Sequence, residues 1–350
     1  MNIFERFTPS LSKEREDAKT ITVMKFGGAS LENTDAIVHA VSIAHREYLS
    51  GRPLVLVLSA MRNVTDKLDR LCQSDSSSLS DELIDQHYSI LASLPIANEN
   101  KLQAQREIDS IFQGLKSDAG VARHYREENH PDTAEYRDRV LSLGERLIVR
   151  LFTAVLSSNG ILALTVESSD IIQTDNKFGQ ANPDFSTSSE KTKRKINPLI
   201  QQNVIPVITG FIGSTIDGKI TTLGRNTSDY SASLIGRIIG ARQVIFWKEV
   251  DGLYDKDPKL NVDARFIKNA TFSEVAAMET KVIHVKALEL LYGTDIVIFI
   301  KNFKKPEKVG TEISAVIDKR VNTSLAYQIA IMHNTGRVPH RLRVFKADSF

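Results

Sequence analysis

Continuous apolar runs alternate along the chain with segments whose apolar residues recur at helical spacing, as at Ile37, Ala40, Val41, Ala44 and Tyr48. The runs lack the polar and apolar alternation of a half-exposed strand, which is typical of strands covered on both faces in a parallel sheet. The pattern therefore predicts an α/β protein with a largely parallel central sheet between helices. The predicted strands lie at residues 21–26, 53–60, 161–166, 204–213, 243–247 and 295–300.

Residues 75–139 have a different pattern. They are rich in Ser, Asp, Glu, Gln and Lys, and their sparse apolar positions, such as Leu83 and Ile111, recur at near-helical intervals. We predict a helical excursion from the sheet, either a wall or lid over a site or a purely structural helix pair. A strongly apolar helix is predicted to begin near Leu141, which places Glu145 in its first turn, where the helix dipole favours a carboxylate.

The stretch from Ile21 to Ser30 predicts a strand, a tight turn and a helix. Lys25 lies near the end of the strand, and the adjacent Gly27 and Gly28 would let backbone N–H groups approach an anion at the start of a helix. Phosphate is the expected guest. The alternative is a plain tight connection with a solvated lysine, and the spacing matches neither of the common phosphate-binding glycine motifs.

Composition narrows the function classes. The formal net charge is +2 over 350 residues, so global charge does not indicate a nucleic-acid or anionic-membrane surface. A single cysteine, Cys72, favours a reducing, cytoplasmic setting, and no run of about eighteen apolar residues predicts a membrane span. Residues 1–19 lack a signal-peptide pattern and are predicted to form a flexible extension. One local basic cluster is interpreted as a solvated loop: Lys301, Lys304, Lys305 and Lys308.

Polar residues follow several predicted strands, where ligands of open α/β sheets bind. Ser59 and Thr65 follow the second strand and could be ligand contacts or helix caps. Arg225 could hold a carboxylate in bidentate fashion, whereas Ser228 and Asp229 could simply cap the next helix.

These stretches resemble the sequence blocks of aspartate kinases. Lys-Phe-Gly-Gly-Ala-Ser is similar to the amino-terminal signature of that family, and Ser-Leu-Gly-Glu and Leu-Gly-Arg-Asn-Thr-Ser-Asp are similar to two later blocks. The resemblance extends from Thr22 to Thr311 in family order. Its six blocks lie at residues 25–30, 59–65, 142–145, 223–229, 247–259 and 281–284.

The resemblance implies the amino-acid kinase fold, with two lobes and a largely parallel sheet between helices. Residues 20–225 would form the amino-acid lobe, residues 226–315 the nucleotide lobe, and residues 316–350 a short tail. The implied reaction is ATP-dependent phosphorylation of the side-chain carboxylate of L-aspartate, the first step towards lysine, threonine and methionine. A homodimer is compatible with the family. Too little chain follows Thr311 for one complete regulatory ACT domain, so feedback control by that route is not expected.

The resemblance also implies roles for individual residues. The implied catalytic residues are Lys25, Asp229 and Lys281. The implied amino-acid contacts are Ser59, Thr65, Glu145, which would receive the ammonium group, Arg225 and Ser228. The implied nucleotide contacts are Lys25, Gly27, Gly28, Ser30, Lys248, Glu249, Tyr254, Lys259 and Lys281. Mg²⁺ would be held mainly through nucleotide phosphates, with no metal cage of protein side chains.

The sequence departs from the family pattern in ways that leave alternatives open. Asn226 and Thr227 replace two glycines, and a β-branched residue such as Thr227 does not readily adopt positive φ. Lys248 and Glu249 replace Thr-Asp, and the segment before Lys281 is shortened. A relative acting on another acidic amino acid, or a catalytically weakened homologue that only binds ligands, is therefore an alternative.

Overall fold

A computed structural model describes residues 20–225, 227–278 and 280–315. The predicted extension at residues 1–19, the tail at residues 316–350 and Asn226 lie outside this part of the chain.

A mixed eight-stranded sheet forms the centre of the described residues, with the strand order β10-β12-β11-β7-β1-β2-β4-β3. Neighbouring strands are parallel except β11 and β12, and β5 with β6 and β8 with β9 form small antiparallel pairs. The strands are β1 (Thr22–Phe26), β2 (Leu54–Leu58), β3 (Ala163–Val166), β4 (Ile205–Thr209), β5 (Ile212–Ser214), β6 (Ile220–Thr222), β7 (Gln243–Lys248), β8 (Leu253–Tyr254), β9 (Phe266–Ile267), β10 (Asn269–Thr271), β11 (Val297–Asn302) and β12 (Thr311–Ser314).

Helices cover both faces of this sheet, which confirms the predicted α/β class. They are α1 (Thr34–Leu49), α2 (Val64–Leu71), α3 (Ser77–Ser93), α4 (Asn98–Phe112), α5 (Leu115–Glu127), α6 (Thr133–Ser158), α7 (Phe185–Gln201), α8 (Ser228–Ile239), α9 (Phe272–Ala277) and α10 (Val285–Leu291).

Alternating side chains of each central strand enter two separate cores. Met24 and Phe26 of β1 pack in the core that includes α1 and α6, whereas Val23 packs on the opposite face with α8. Successive side chains of a strand point to opposite faces, so a strand covered on both faces must be apolar at nearly every position. This explains the continuous apolar runs in the sequence.

The helical excursion predicted at residues 75–139 is present as α3, α4, α5 and the first turns of α6. Ile108 and Phe112 of α4 join the core beneath α6. The strongly apolar helix predicted to begin near Leu141 is α6, and the predicted start was wrong. Helix α6 begins at Thr133, so Glu145 lies near its middle and not in its first turn. The helical spacing of core-facing residues extends upstream of Leu141 through the buried Val140 and the half-buried Tyr136, where the surrounding residues are polar.

Strand β3 differs from its predicted environment. The run at residues 161–166 looked like a strand buried on both faces, yet β3 is the last strand of the sheet and Leu164 is 46% exposed. An apolar run indicates a strand but does not fix its position in the sheet.

Candidate active site

A cavity of about 700 Å³ opens where the central strands end. Its walls come from β1, the segments after β2 and β4, helix α6, the start of α8 and the segment before α10. It brings together residues that are far apart in the sequence. The predicted site residues on its walls are Lys25, Gly28, Ser59, Thr65, Glu145, Arg225, Ser228, Asp229, Lys248 and Lys281.

Two lysines share one carboxylate at the base of this cavity. Lys25 Nζ lies 2.9 Å from Asp229 Oδ1, and Lys248 Nζ donates to Asp229 Oδ2 at 2.6 Å. Because β1 and β7 are neighbours in parallel register, Lys25 and Lys248 leave the same face of the sheet towards the first turn of α8, where Asp229 lies. The sequence predicted all three as site residues but did not predict that they pair with one another.

Burial and charge act in opposite directions on Asp229. Its burial favours the neutral acid, but the two ammonium groups outweigh that effect and hold its pKa well below the usual range. Burial lowers the pKa of Lys248, against the attraction of Asp229. The site therefore contains a carboxylate that is ionised at neutral pH and aligns two lysine side chains beside the glycine turn.

The glycine turn is pressed against the segment after β2. A Cβ atom on Gly28 would lie 2.8 Å from the carbonyl oxygen of Ala60, so no larger residue fits there. Ser30 does not line the cavity: its buried hydroxyl donates to the Gly27 carbonyl at 2.7 Å and closes the turn. This geometry does not support the predicted contact between Ser30 and a nucleotide.

Glu145 reaches the cavity because α6 lies unusually close to the same segment. Its neighbour Gly144 faces Ala60, where a Cβ atom would come within 2.7 Å of the Ala60 Cβ. Glu145 is 3% exposed, and its Oε2 has no hydrogen-bond partner among the described residues. Burial raises the pKa of Glu145 to about 8, although a backbone contact with Ala60 and the charge of Lys25 oppose the shift. An unpartnered carboxylate oxygen at a cavity wall suits a cationic ligand group.

Arg225 lies on the cavity wall but is already engaged. Its guanidinium contacts Asp66 Oδ1 at 2.6 Å and Asp69 Oδ2 at 2.9 Å, and Arg137 Nε holds the other oxygen of Asp69 at 2.7 Å. A ligand carboxylate would have to share or replace these partners. The sequence predicted that Arg225 could hold a ligand carboxylate and missed both aspartates, which belong to α2.

The departure at Thr227 causes no backbone strain. Thr227 has a φ of −92°, and the positive φ in this loop belongs to Gly224, at +99°. The predicted difficulty at this position was therefore wrong. Thr227 precedes α8 as its N-cap residue, and Asn63 precedes α2, so the capping alternatives for Ser228, Asp229, Ser59 and Thr65 do not apply.

Other predicted nucleotide residues lie outside the cavity wall. Gly27 lies beside Lys25, where a Cβ atom would be 3.5 Å from its Nζ, and Glu249 follows β7 and pairs with Arg62. Tyr254 packs edge-on against Phe266 in the β8–β9 pair, and Lys259 is exposed in the loop between those strands. Lys281, by contrast, does line the cavity and is exposed at its rim. The shortened segment before it includes Glu279, which is outside the described residues.

The structure adds residues that sequence reasoning missed. Arg62 and Phe211 both line the cavity, and Phe211 holds a left-handed φ of +69°, which a phenylalanine rarely adopts. Asp138 of α6 accepts the N–H groups of Gly179 and Thr222, each at 2.7 Å, and so fixes two loops beside the site. Asp138 aligns with Glu145 two helical turns away, a spacing that could have drawn attention to it.

Two searches of the described part of the chain were negative. It contains no group of three or more His, Cys, Asp or Glu side chains arranged to hold a metal ion. None of its helices is long and apolar enough to cross a membrane. In the basic cluster, Lys304 pairs with Glu249 and Lys308 pairs with Asp251.

Residues 20–302 match the family model described as the amino acid kinase family. The chain belongs to this family, as its sheet flanked by helices and its cationic cavity at the strand ends indicated. Within the family, the relatives that it resembles are aspartokinases. It is 29% identical over 338 residues to lysine-sensitive aspartokinase 3 of Escherichia coli K12, covering 94% of this chain and 72% of the relative.

A chloroplastic relative and a solved structure give the same result. Aspartokinase 2 of Arabidopsis thaliana is 29% identical and is covered over 60% of its length, with 93% of this chain aligned. The structure of E. coli aspartokinase III with aspartate and ADP superposes with a TM-score of 0.75 at 26% identity, covering 90% of this chain and 74% of the other. The chain thus spans about 60% to 72% of the curated relatives named here.

Proposed function

We propose that the chain is an aspartate kinase catalytic domain, which transfers the terminal phosphoryl group of ATP to the side-chain carboxylate of L-aspartate. The observation that carries the proposal is the placement of Lys25, Asp229 and Glu145 in one cavity beside the glycine turn. The aspartate and ADP named in the E. coli aspartokinase III structure support the choice of both substrates.

The proposed reaction needs positioning and charge more than it needs a general base. An aspartate side chain has a pKa of about 3.9 and is already a nucleophilic carboxylate at neutral pH. One of its oxygens forms a bond to the terminal phosphorus while the bond from that phosphorus to the ADP oxygen breaks, and ADP leaves. Lys25 and Lys248, aligned by Asp229, would reduce the repulsion between the two anions and stabilise the transferring group.

The acceptor would be held at its two ends. The unpartnered Oε2 of Glu145 suits the ammonium group, and Arg225 suits the α-carboxylate if it exchanges a contact with Asp66. Ser59, Thr65 and Ser228 line the same space and can complete the polar contacts. This arrangement would direct the side-chain carboxylate of the bound aspartate towards the glycine turn.

The remaining parts of the proposal concern the nucleotide and the cell. Mg²⁺ would arrive with the phosphates, and Lys281 would contact them from the cavity rim. Gly27, Tyr254 and Lys259 would contact parts of the nucleotide outside the cavity. A cytoplasmic role at the start of lysine, threonine and methionine synthesis fits this activity, and the unpaired, buried Cys72 fits a reducing compartment. The proposal includes a homodimer, which the molar mass of the purified protein in solution tests.

The test is acyl-phosphate trapping. Purified protein is incubated with aspartate, Mg·ATP and hydroxylamine, and aspartyl hydroxamate is quantified. We expect product from the wild type, and a loss of about 100-fold or more in Lys25→Ala, because a cation at the transferring phosphoryl group is removed. Lys116→Ala on α5, remote from the cavity, should match the wild type. A folded wild type that binds ATP but forms no hydroxamate would refute the proposal.

A second candidate is a kinase for another acidic amino acid. It is favoured by Asp66 and Asp69, which occupy the guanidinium of Arg225 and alter the recognition of the α-carboxylate. An acceptor screen with the same trap separates the candidates, because this one requires that aspartate is inactive while another acid is phosphorylated. Nucleotide binding without any product would instead indicate a weakened homologue.

A further inference from the structure

Arg62 lies directly against the glycine turn. Its backbone N–H donates to the Gly28 carbonyl at 3.1 Å, and a Cβ atom on Gly28 would lie 3.1 Å from the same nitrogen. The Arg62 side chain lines the cavity with Lys25 and Lys248. A third cationic side chain therefore lies beside the turn, on a backbone that is hydrogen-bonded to the turn.

The guanidinium of Arg62 is held by two carboxylates from different segments. Nε lies 2.8 Å from Glu32 Oε2 at the end of the glycine turn, and Nη2 donates to Glu249 Oε2 at 2.6 Å after β7. Arg62, Glu32 and Glu249 have side chains that are 43%, 37% and 41% exposed, respectively. Ion pairs with this much solvent contact contribute only about 0 to 1 kcal/mol each, so they orient Arg62 without locking it.

Release of Arg62 would leave little uncompensated charge. Glu249 retains Lys304, whose Nζ lies 3.1 Å from its other oxygen, and Glu32 is exposed to water. A phosphate group is a stronger partner for a guanidinium than an exposed carboxylate, because it offers more acceptor oxygens and more negative charge.

We propose that Arg62 is a further nucleotide-contacting residue. Its guanidinium separates from Glu32 and Glu249 and binds the terminal phosphate of ATP beside Lys25. This rests on the proposed function only in that the cavity must bind ATP, and it holds for any acceptor. Because ADP lacks the terminal phosphate, Arg62 would contribute to the preference of the protein for ATP over ADP.

The test measures nucleotide binding without an acceptor. Dissociation constants for ADP and for a non-hydrolysable ATP analogue are determined by calorimetry, with Mg²⁺, for wild type, Arg62→Gln, Glu32→Gln and Arg52→Gln. Arg52 pairs with Glu47 away from the cavity and is the matched control. We expect Arg62→Gln to reduce the preference for the ATP analogue over ADP about 10-fold or more, the loss of one charge-assisted hydrogen bond.

Glu32→Gln distinguishes phosphate binding from a structural bridge. It breaks the same ion pair but leaves the cation, so it should retain or increase the preference for the ATP analogue, and Arg52→Gln should leave it unchanged. Equal losses for both nucleotides in Arg62→Gln and Glu32→Gln would show that Arg62 only joins segments and would overturn the proposal. A wild type that binds neither nucleotide would refute the proposed function as well.

Discussion

The cavity sets two buried carboxylates in opposite protonation states at neutral pH. Asp229 faces Lys25 and Lys248 and stays ionised, whereas Glu145 has no partner for one oxygen, so burial dominates. A side-chain carboxylate is therefore a counter-ion to two lysines at one wall and a group with an unpartnered oxygen at another. The difference arises from the neighbours of each carboxylate, not from its degree of burial.

The pKa of Glu145 makes a prediction about stability. The pKa is about 8 in the folded protein against an ordinary value of 4.5, so the folded state binds more protons than the unfolded state between these values. The contribution of Glu145 to the free energy of unfolding is therefore greatest below about pH 4.5 and falls as pH rises towards 8. Glu145→Gln cannot ionise and should lack this fall.

Denaturant unfolding of both proteins at pH 5.5 and pH 8 checks this prediction. We expect Glu145→Gln to gain stability relative to the wild type on going from pH 5.5 to pH 8. Asp138, whose pKa burial raises to about 6, titrates in both proteins and cancels in the comparison. A stability difference that is the same at both pH values would contradict the assignment.

At the scale of elements, the site depends on how closely helix α6 approaches the end of β2. Gly144 faces Ala60 and Val64, with a hypothetical Cβ at 2.7 Å from the Ala60 Cβ and 3.2 Å from the Val64 Cγ1. A helix interior normally disfavours glycine relative to alanine by about 1 kcal/mol, so glycine here costs helix stability in exchange for close packing. That packing sets the depth at which Glu145 enters the cavity.

Gly144→Ala should therefore destabilise the protein, although alanine is the better helix former. The added methyl group must displace α6 or the segment after β2, which costs about 1 to 3 kcal/mol and shifts Glu145. Gly120→Ala in α5 is the matched control, because its nearest neighbour would be the end of the Arg123 side chain at 3.8 Å. It should be neutral or stabilising in thermal unfolding. Equal effects of the two substitutions would contradict the packing argument.

At the scale of the whole molecule, one continuous sheet joins the two halves of the site. Strands β1 to β4 form one side and β7, β10, β11 and β12 the other, and the two sides meet where β1 pairs with β7. The single tryptophan of the sequence, Trp247, lies at this junction and stacks on Phe26 with ring centroids 6.1 Å apart. Its fluorescence therefore reports on the contact between the halves.

The shared sheet predicts that the halves unfold together. In denaturant, the change in Trp247 fluorescence should coincide with the loss of far-ultraviolet circular dichroism, because separating β1 from β7 breaks both cores at once. Addition of Mg·ATP should move both transitions equally to higher denaturant concentration if the nucleotide binds the folded cavity. A fluorescence transition that precedes the loss of secondary structure would show that the halves separate first.

Local sequence determined the strands and the residues of the glycine turn. Strands covered on both faces, such as β1 and β2, need apolar side chains on both faces. Their continuous apolar sequences therefore predict them without a structure. The blocks containing Lys25, Glu145 and Asp229 could also be recognised from the sequence, because each block consists of residues that are next to one another in the chain. The edge position of β3 and the early start of α6 were not, because both depend on neighbours far away in sequence.

Only the tertiary structure decided which of these residues act on one another. The pairing of Lys248 with Asp229, the capture of Arg225 by Asp66 and Asp69, and the position of Arg62 against Gly28 each join segments from separate strands and helices. A sequence states which charges the chain carries. Their protonation and partners follow from distances and burial, which exist only once the sheet has brought the strand ends together.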